Sequence, residues 1–496
     1  MTDALSRSES WLVAVRTPKL DRAISLITSS ALATLIIVGF LVASPDHRHW
    51  FVVPVLLSGA LIGSDAVDWF RGKLEMFDPF GVIGILGFHL FFLAPLLHVA
   101  WNTWMYTTSP PPDWRDWLGR MAILNFLGLV IYRVIRLLPL RAAARKARSV
   151  WQFNQSRFVI LMPLVLVVTA LAQALVYASF GGISGYIDAY QNRPQEFEGS
   201  GWIFMISESF PILAFFAFAV FIRWRHIRWS NTKTVIALVF FTGAQLLFGG
   251  LRGSRSNTIW ALFWAVGIIH LWIQPVSRKL IYGGVVFLIA FAYVYGFYKE
   301  KLTPNMTIEQ TMRLGEKRGR TLHAELLGDF GRADIQAFLL YRITGPGSDY
   351  EYAWGRTYAG ALALLIPRSI WPDRPATSVE AGTNAQHYMG SYAPKKLETS
   401  KVFGLAGETM LNFGPWLVAP SFAIWGLVVG WVSAFLKRLA PLDSRILIAP
   451  FLVNFCIPVL IGDSDNIIFF LMKQGLIPIA VIALCSVRRR PREVSR

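Results

Sequence analysis

Cysteine is almost absent: Cys456 and Cys485 are the only two in 496 residues, and both lie inside apolar runs. They have no paired spacing and no neighbouring histidine, so they offer neither a disulfide framework nor a metal site. They read as packing residues and say nothing of redox compartment. Charge is also scarce, with 16% Asp, Glu, Lys and Arg against 54% apolar residues and a positive mean hydropathy. No polar stretch is long enough to fold as an ordinary soluble domain, so residues 1–496 read as a single membrane domain. Acids number 30 against 48 bases, for a net charge of +18. In a soluble chain that excess would suggest nucleic acid. Here the bases mostly fill the gaps between apolar runs, so they carry topology and no nucleic-acid partner is expected. There are eight histidines. His89, His98 and His270 sit within apolar runs, His323 and His387 in a polar stretch, and none has metal-ligand spacing, so no metal and no cofactor is expected.

What remains is apolar sequence in lengths that cross a bilayer. Twelve runs of about 20 residues suffice for hydrocarbon: 23–43, 50–69, 79–101, 118–138, 158–179, 202–222, 234–250, 258–274, 280–298, 415–436, 446–462 and 466–487. The chain therefore reads as an all-α polytopic membrane protein. The first run ends at charged Asp46–Arg48 rather than a small-residue cleavage site, which marks a retained helix. Twelve spans place both termini on one side. With that side cytoplasmic, the inside loops hold Arg7, Arg16, Lys19 and Arg22, then Arg133 to Arg157 with Arg141, Arg145, Lys146 and Arg148. Further along they hold Arg223, Arg225, Arg228 and Lys233, then Lys437 and Arg438, then Arg488–Arg490. The opposite short loops, around Ser44, Ser109, Gly182 and Asp463, are nearly free of Lys and Arg, which fixes the expected orientation.

One connection is long. Residues 299–401 form an expected external loop with helix-like stretches such as 323–341 and a short apolar run, Ala359–Ile366, stopped by Pro367. Loops of this size usually carry function, and the apolar run suits an interfacial or re-entrant helix. Three motifs bear chemistry. Gly249 to Asn257 (GGLRGSRSN) is a tight turn whose glycines let the backbone curl, with Arg252, Arg255 and the N-terminus of the next helix able to cradle a phosphate. The alternative is a turn whose arginines touch lipid headgroups. Ile366 to Pro375 (IPRSIWPDRP) holds Arg368 and Arg374 beside Trp371, suited to a lipid-linked anion or a sugar face, or to an interfacial anchor. Gly404 to Pro415 (GLAGETMLNFGP) places Glu408 and Asn412 on one helical face at an apolar boundary. There Glu408 is either a general base with a raised pKa or half of a Glu–Arg pair. Asp463-Ser464-Asp465 looks like a weak two-carboxylate motif, with helix capping by Ser464 or Asp465 the commoner use.

Together, the arginine turn, the PRSIWPDRP stretch (367–375) and the GETMLNFG stretch (407–414) resemble bacterial polysaccharide polymerases of the Wzy type, over residues 240–430. That resemblance implies a GT-C-like membrane glycosyltransferase of the bacterial inner membrane with its active face periplasmic. Such an enzyme polymerises undecaprenyl-pyrophosphate-linked oligosaccharide repeat units into O-antigen, capsule or exopolysaccharide, without metal or nucleotide sugar. It implies membrane lipids, a chain-length regulator and a flippase as partners. Arg252, Arg255, Arg368 and Arg374 would take the pyrophosphate, with Glu408 the first and His387 the second candidate for general base. Some O-antigen polymerases have two arginine-rich external loops where this chain has one long loop, which leaves the acceptor site unassigned. A ligase of the same superfamily and a flippase or transporter of lipid-linked glycans are the rival readings. The flippase would be expected to show half-to-half symmetry, and none is visible by eye.

Overall fold

The computed structural model describes residues 19–105, 108–143, 150–192, 197, 201–252, 255–298, 309–310, 313, 321–366, 370–388 and 401–489. Among the described residues eleven helices are long and apolar enough to cross a membrane, including Val52–Phe70, Pro79–Ala100, Trp114–Ala143, Gly201–Trp224, Pro415–Leu436 and Ser464–Cys485. The protein is thus a multi-pass helical membrane protein, as the composition implies. The expected span 446–462 needs correction: it is a shorter apolar helix, Ala449–Ile461, interrupted between Phe455 and Pro458. Pro458 supplies no amide to continue the ladder, and at 1.5 Å per residue the helical part falls short of about 30 Å of hydrocarbon.

The chain divides into two compact units. The first comprises residues 1–146, 318–437 and 455–468. Its helices approach closely because glycines face bulky partners: Gly59 and Gly63 receive the rings of Phe92 and Phe88, and Gly430 sits against the Arg136 carbonyl. Small residues at such crossings are how membrane helices gain packing where burial from water gives no drive. Arg136 makes a two-pronged contact with Asp65, at 2.5 and 2.9 Å, and joins helix Val52–Phe70 to helix Trp114–Ile135. Tyr132 stacks on Trp425 at 4.1 Å, and the Trp425 indole donates to the Cys456 carbonyl at 3.1 Å. The long connection 299–401 contributes helices Ala333–Thr344, Arg356–Ala363 and Ser378–Thr383 to this unit. Thr377 and Glu380 form a reciprocal capping box on the last of these.

The second unit comprises residues 147–317, 438–454 and 469–496. Its sheet is one antiparallel pair, Val150–Phe153 with Ser486–Arg489. The same edge is pinned where the Asp443 carboxylate accepts the Trp151 amide and Ser444 meets Ser486 at 2.6 Å. Inside, Trp264 donates to the Leu447 carbonyl at 2.7 Å and Phe451 stacks on Phe470 at 4.9 Å. Lys473 pairs with Glu208 at 2.5 Å, both deeply buried. Each of the two charges lies within an apolar span, a signal that could have found them but that the sequence reading above passed over.

Candidate functional site

Helix Gly404–Phe413 organises the site, and three residues one turn apart do most of the bonding. At its start Gly404 adopts a left-handed φ of +71°, and a Cβ there would come within 3.0 Å of the Leu460 carbonyl oxygen. Only glycine meets both conditions without strain. The open amides of this helix end do not go to a local cap. Asp463 Oδ1 accepts the Phe403 amide at 2.9 Å and the Gly404 amide at 2.7 Å, so a residue from a distant turn satisfies them. Gln336 Nε2 adds a hydrogen bond to the Phe403 carbonyl at 2.9 Å.

One turn on, Glu408 is 3% exposed. Its Oε1 accepts the Thr357 hydroxyl at 2.8 Å and the Ser464 hydroxyl at 2.5 Å, and its Oε2 accepts the Ser464 amide at 2.6 Å. Another turn on, Asn412 donates to Thr357 Oγ1 at 2.6 Å and to the Glu408 carbonyl at 2.9 Å, while its Oδ1 accepts the Gly355 amide at 2.9 Å. Glu408 and Asn412 do share one face, as their spacing requires. The alternative Glu–Arg pair is not what holds Glu408: among the described residues its partners are two hydroxyls and an amide. The Asp463-Ser464-Asp465 turn is reassigned as well. Asp463 caps helix Gly404–Phe413, Ser464 clasps Glu408, and Asp465 accepts its neighbour Asn466 and the Ser378 hydroxyl.

Electrostatically the cluster is one-sided. Burial pushes the Glu408 carboxyl above its ordinary value, against the hydrogen bonds from Ser464 and Thr357 and with a further push from Asp465. Burial, then the charges of Glu408 and Asp465, holds Asp463 well above the usual carboxylate range. A proton is therefore retained in this cluster to higher pH than on isolated carboxylates. Burial and the Glu408 charge also push the Tyr358 phenol up to about 12, so it stays neutral. The carboxylates do not converge on one point: among the described residues no three His, Cys, Asp or Glu side chains are arranged to hold a metal ion.

The other expected site residues are distributed as follows. Arg252 ends the short turn Gly250–Arg252 and Arg255 opens helix Arg255–Ile268, both in the second unit, and their side chains lie outside the described residues. Arg368 lies outside them altogether, as does the His387 side chain, whose backbone belongs to the wide helical turn Asn384–Tyr388. Arg374 is half-buried, in the first unit, and donates to the Ile366 carbonyl at 3.4 Å. Thr357 was not legible from the sequence, since a threonine opening a short helix carries no signal of its own. Comparison with protein-family models, with curated proteins and with solved structures returns no match.

Proposed function

We propose that this chain is a membrane glycosyltransferase that polymerises undecaprenyl-pyrophosphate-linked repeat units, with Glu408 receiving the acceptor proton. The observation that carries the reading is the setting of Glu408: a buried carboxylate just ahead of span Pro415–Leu436, held by hydroxyls and an amide rather than by a described cation. A structural carboxylate in such a place is normally neutralised by a base. Hydroxyl donors instead are the groups a sugar hydroxyl can replace. The resemblance of residues 240–430 to Wzy-type polymerases supplies the substrate class.

On this reading the acceptor hydroxyl takes the place of the Ser464 hydroxyl at Oε1 and gives its proton to ionised Glu408. Its oxygen forms the new glycosidic bond as the bond from the anomeric carbon to the donor phosphate breaks, and the leaving lipid pyrophosphate keeps the electron pair. The raised pKa makes Glu408 a stronger base than a solvated glutamate. The resemblance assigns Arg252, Arg255, Arg368 and Arg374 to the pyrophosphate, where one well-placed donor is worth about 3 kcal/mol. A bacterial inner-membrane location with the reaction on the periplasmic face completes the proposal.

The test is purified protein in proteoliposomes with lipid-linked repeat units. A ladder of lengthened, carrier-linked glycans is expected. Movement of the substrate across the bilayer with no new glycosidic bond would identify a flippase. In cells, loss of the protein leaves single repeat units if it is a polymerase, and carrier-linked long chains if it is a ligase.

A further inference from the structure

After helix Ala333–Thr344 the chain runs along the far end of helix Gly404–Phe413. The Ala353 amide donates to the Leu411 carbonyl and the Trp354 amide to the Asn412 carbonyl, both at 3.0 Å, which satisfies carbonyls the helix end leaves open. Tyr350 anchors its hydroxyl on the Leu411 carbonyl at 2.9 Å, and the Tyr352 hydroxyl lies 2.9 Å from where a Cβ on Gly414 would stand. Tyr350, Tyr352 and Trp354 alternate with Glu351 and Ala353. Their ring centroids follow at 5.9 and 5.8 Å, and the row continues through Phe413, 6.4 Å from Trp354, to Tyr358 at a further 6.2 Å.

Trp354 stands out in this row. Its φ of +49° is left-handed, a conformation uncommon for side-chain-bearing residues and rare for a bulky one. Packing does not repay the strain, because Trp354 is 72% exposed. Strain of this kind persists where the surroundings over-determine it, and it concentrates at ligand sites. The surroundings do so here, through the amides of Trp354 and Gly355 on either side of its carbonyl. Glu351 and Arg356 are exposed beside the row, and Asp349 is exposed and paired with Arg342 at 3.3 Å.

The rings of Tyr350, Tyr352 and Trp354 meet edge to face, at 74° and 80° between planes, so they line the row as alternating faces and edges, and with the carboxylates and guanidinium beside them they match a pyranose chain. Its C–H-bearing faces are polarised positive by their oxygens and its hydroxyls need both donors and acceptors. An interfacial aromatic belt uses rings differently, as single residues hanging from span ends; Trp416, 84% exposed at the start of Pro415–Leu436, has that form. The row is instead joined to the candidate base: Asn412 holds Gly355 with its Oδ1, and Thr357 and the Glu408 carbonyl with its Nδ2. We infer that Tyr350, Tyr352 and Trp354 form a saccharide platform that seats the sugar rings of a glycan chain, with Asn412 fixing it relative to Glu408. The choice of glycan rests on the polymerase reading; the platform rests on the geometry of the row.

The experiment uses the full chain in lipid nanodiscs and, as probe, the oligosaccharide released by mild acid from the producing cells' carrier lipid, free of phosphate and lipid. Saturation-transfer NMR reads contact with the sugar C–H protons, thermal melting is read on the same samples, and lipid-linked repeat units report polymerisation. Trp354→Gly suits the left-handed backbone, so it should melt at or above the wild-type temperature while losing at least fivefold in transfer. Trp354→Phe should retain part of the signal. No transfer in the wild type, or equal transfer in Trp354→Gly, overturns the platform. A lower melting temperature with unchanged transfer identifies a membrane anchor and overturns it too. Absence of a ladder in the wild type bears on the polymerase reading alone, because binding of the free oligosaccharide is judged separately.

Discussion

At the scale of the residue, Glu408 separates chemistry from scaffolding. Its folded pKa is raised, chiefly by burial, so the native state binds a proton that the unfolded chain releases near 4.5. Stability therefore falls as pH rises from the ordinary carboxylate range through the raised native value, and is restored on acidification. Glu408→Gln keeps one oxygen for the Ser464 amide and presents its NH2 to hydroxyl oxygens. Its melting temperature should stay near wild type and lose the Glu408 share of this pH slope, with the Asp463 share remaining, while turnover falls about a hundredfold or more. Glu408→Ala leaves the buried Thr357 hydroxyl and the half-buried Ser464 hydroxyl and amide without their acceptor and should cost about 3 kcal/mol. A Gln variant with wild-type turnover per folded molecule ends the catalytic assignment. The carboxylate itself was legible from its place at an apolar boundary and from the shared face with Asn412. Its partners were not, because Thr357 and Ser464 approach from 51 and 56 residues away and no local pattern encodes a tertiary clasp.

At the scale of the element, the distant cap decides whether helix Gly404–Phe413 is properly begun. Asp463→Ala removes the acceptor of two amides and should lower stability by about 2 kcal/mol, with activity falling alongside. Asp463→Asn retains Oδ1 and should stay close to wild type in both, which denaturation and ladder assays on one preparation will check. Gly404→Ala meets a left-handed backbone and the Leu460 carbonyl together, for a loss of about 1–3 kcal/mol. In the second unit, Lys473→Met removes the buried Lys473–Glu208 ion pair and should lower stability, by up to about 3–5 kcal/mol. The double variant Glu208→Leu with Lys473→Met should recover most of that loss, and a double variant no more stable than the single would deny that the pair acts as a unit. Elements of this length were largely readable, since 20-residue apolar periods survive any tertiary detail. The failure at 446–462 came where apolar composition and helical continuity part, at Pro458.

At the scale of the whole molecule, that short segment governs topology. Eleven long helices alone would place the termini on opposite sides, and the same-side arrangement of the Lys/Arg pattern needs Ala449–Ile461 to cross as well. Reporter fusions at Arg145, Arg438 and Arg490 should all report cytoplasm, and those at Gln195 and Thr383 the outside. A tail fusion opposite to Arg438 would show that the broken segment turns back. The order of synthesis gives the acid cluster a further meaning. The ribosome completes helix Gly404–Phe413 well before the residues that finish it, which lie 56 to 60 positions downstream in the turn Asp463–Ser464. Until that turn emerges, the nascent helix has open amides and a carboxylate without its Ser464 partners. A chain stalled or truncated before Asp463 therefore leaves the start of helix Gly404–Phe413 uncapped and Glu408 without its Ser464 partners, so this helix end is finished only when the turn Asp463–Ser464 arrives.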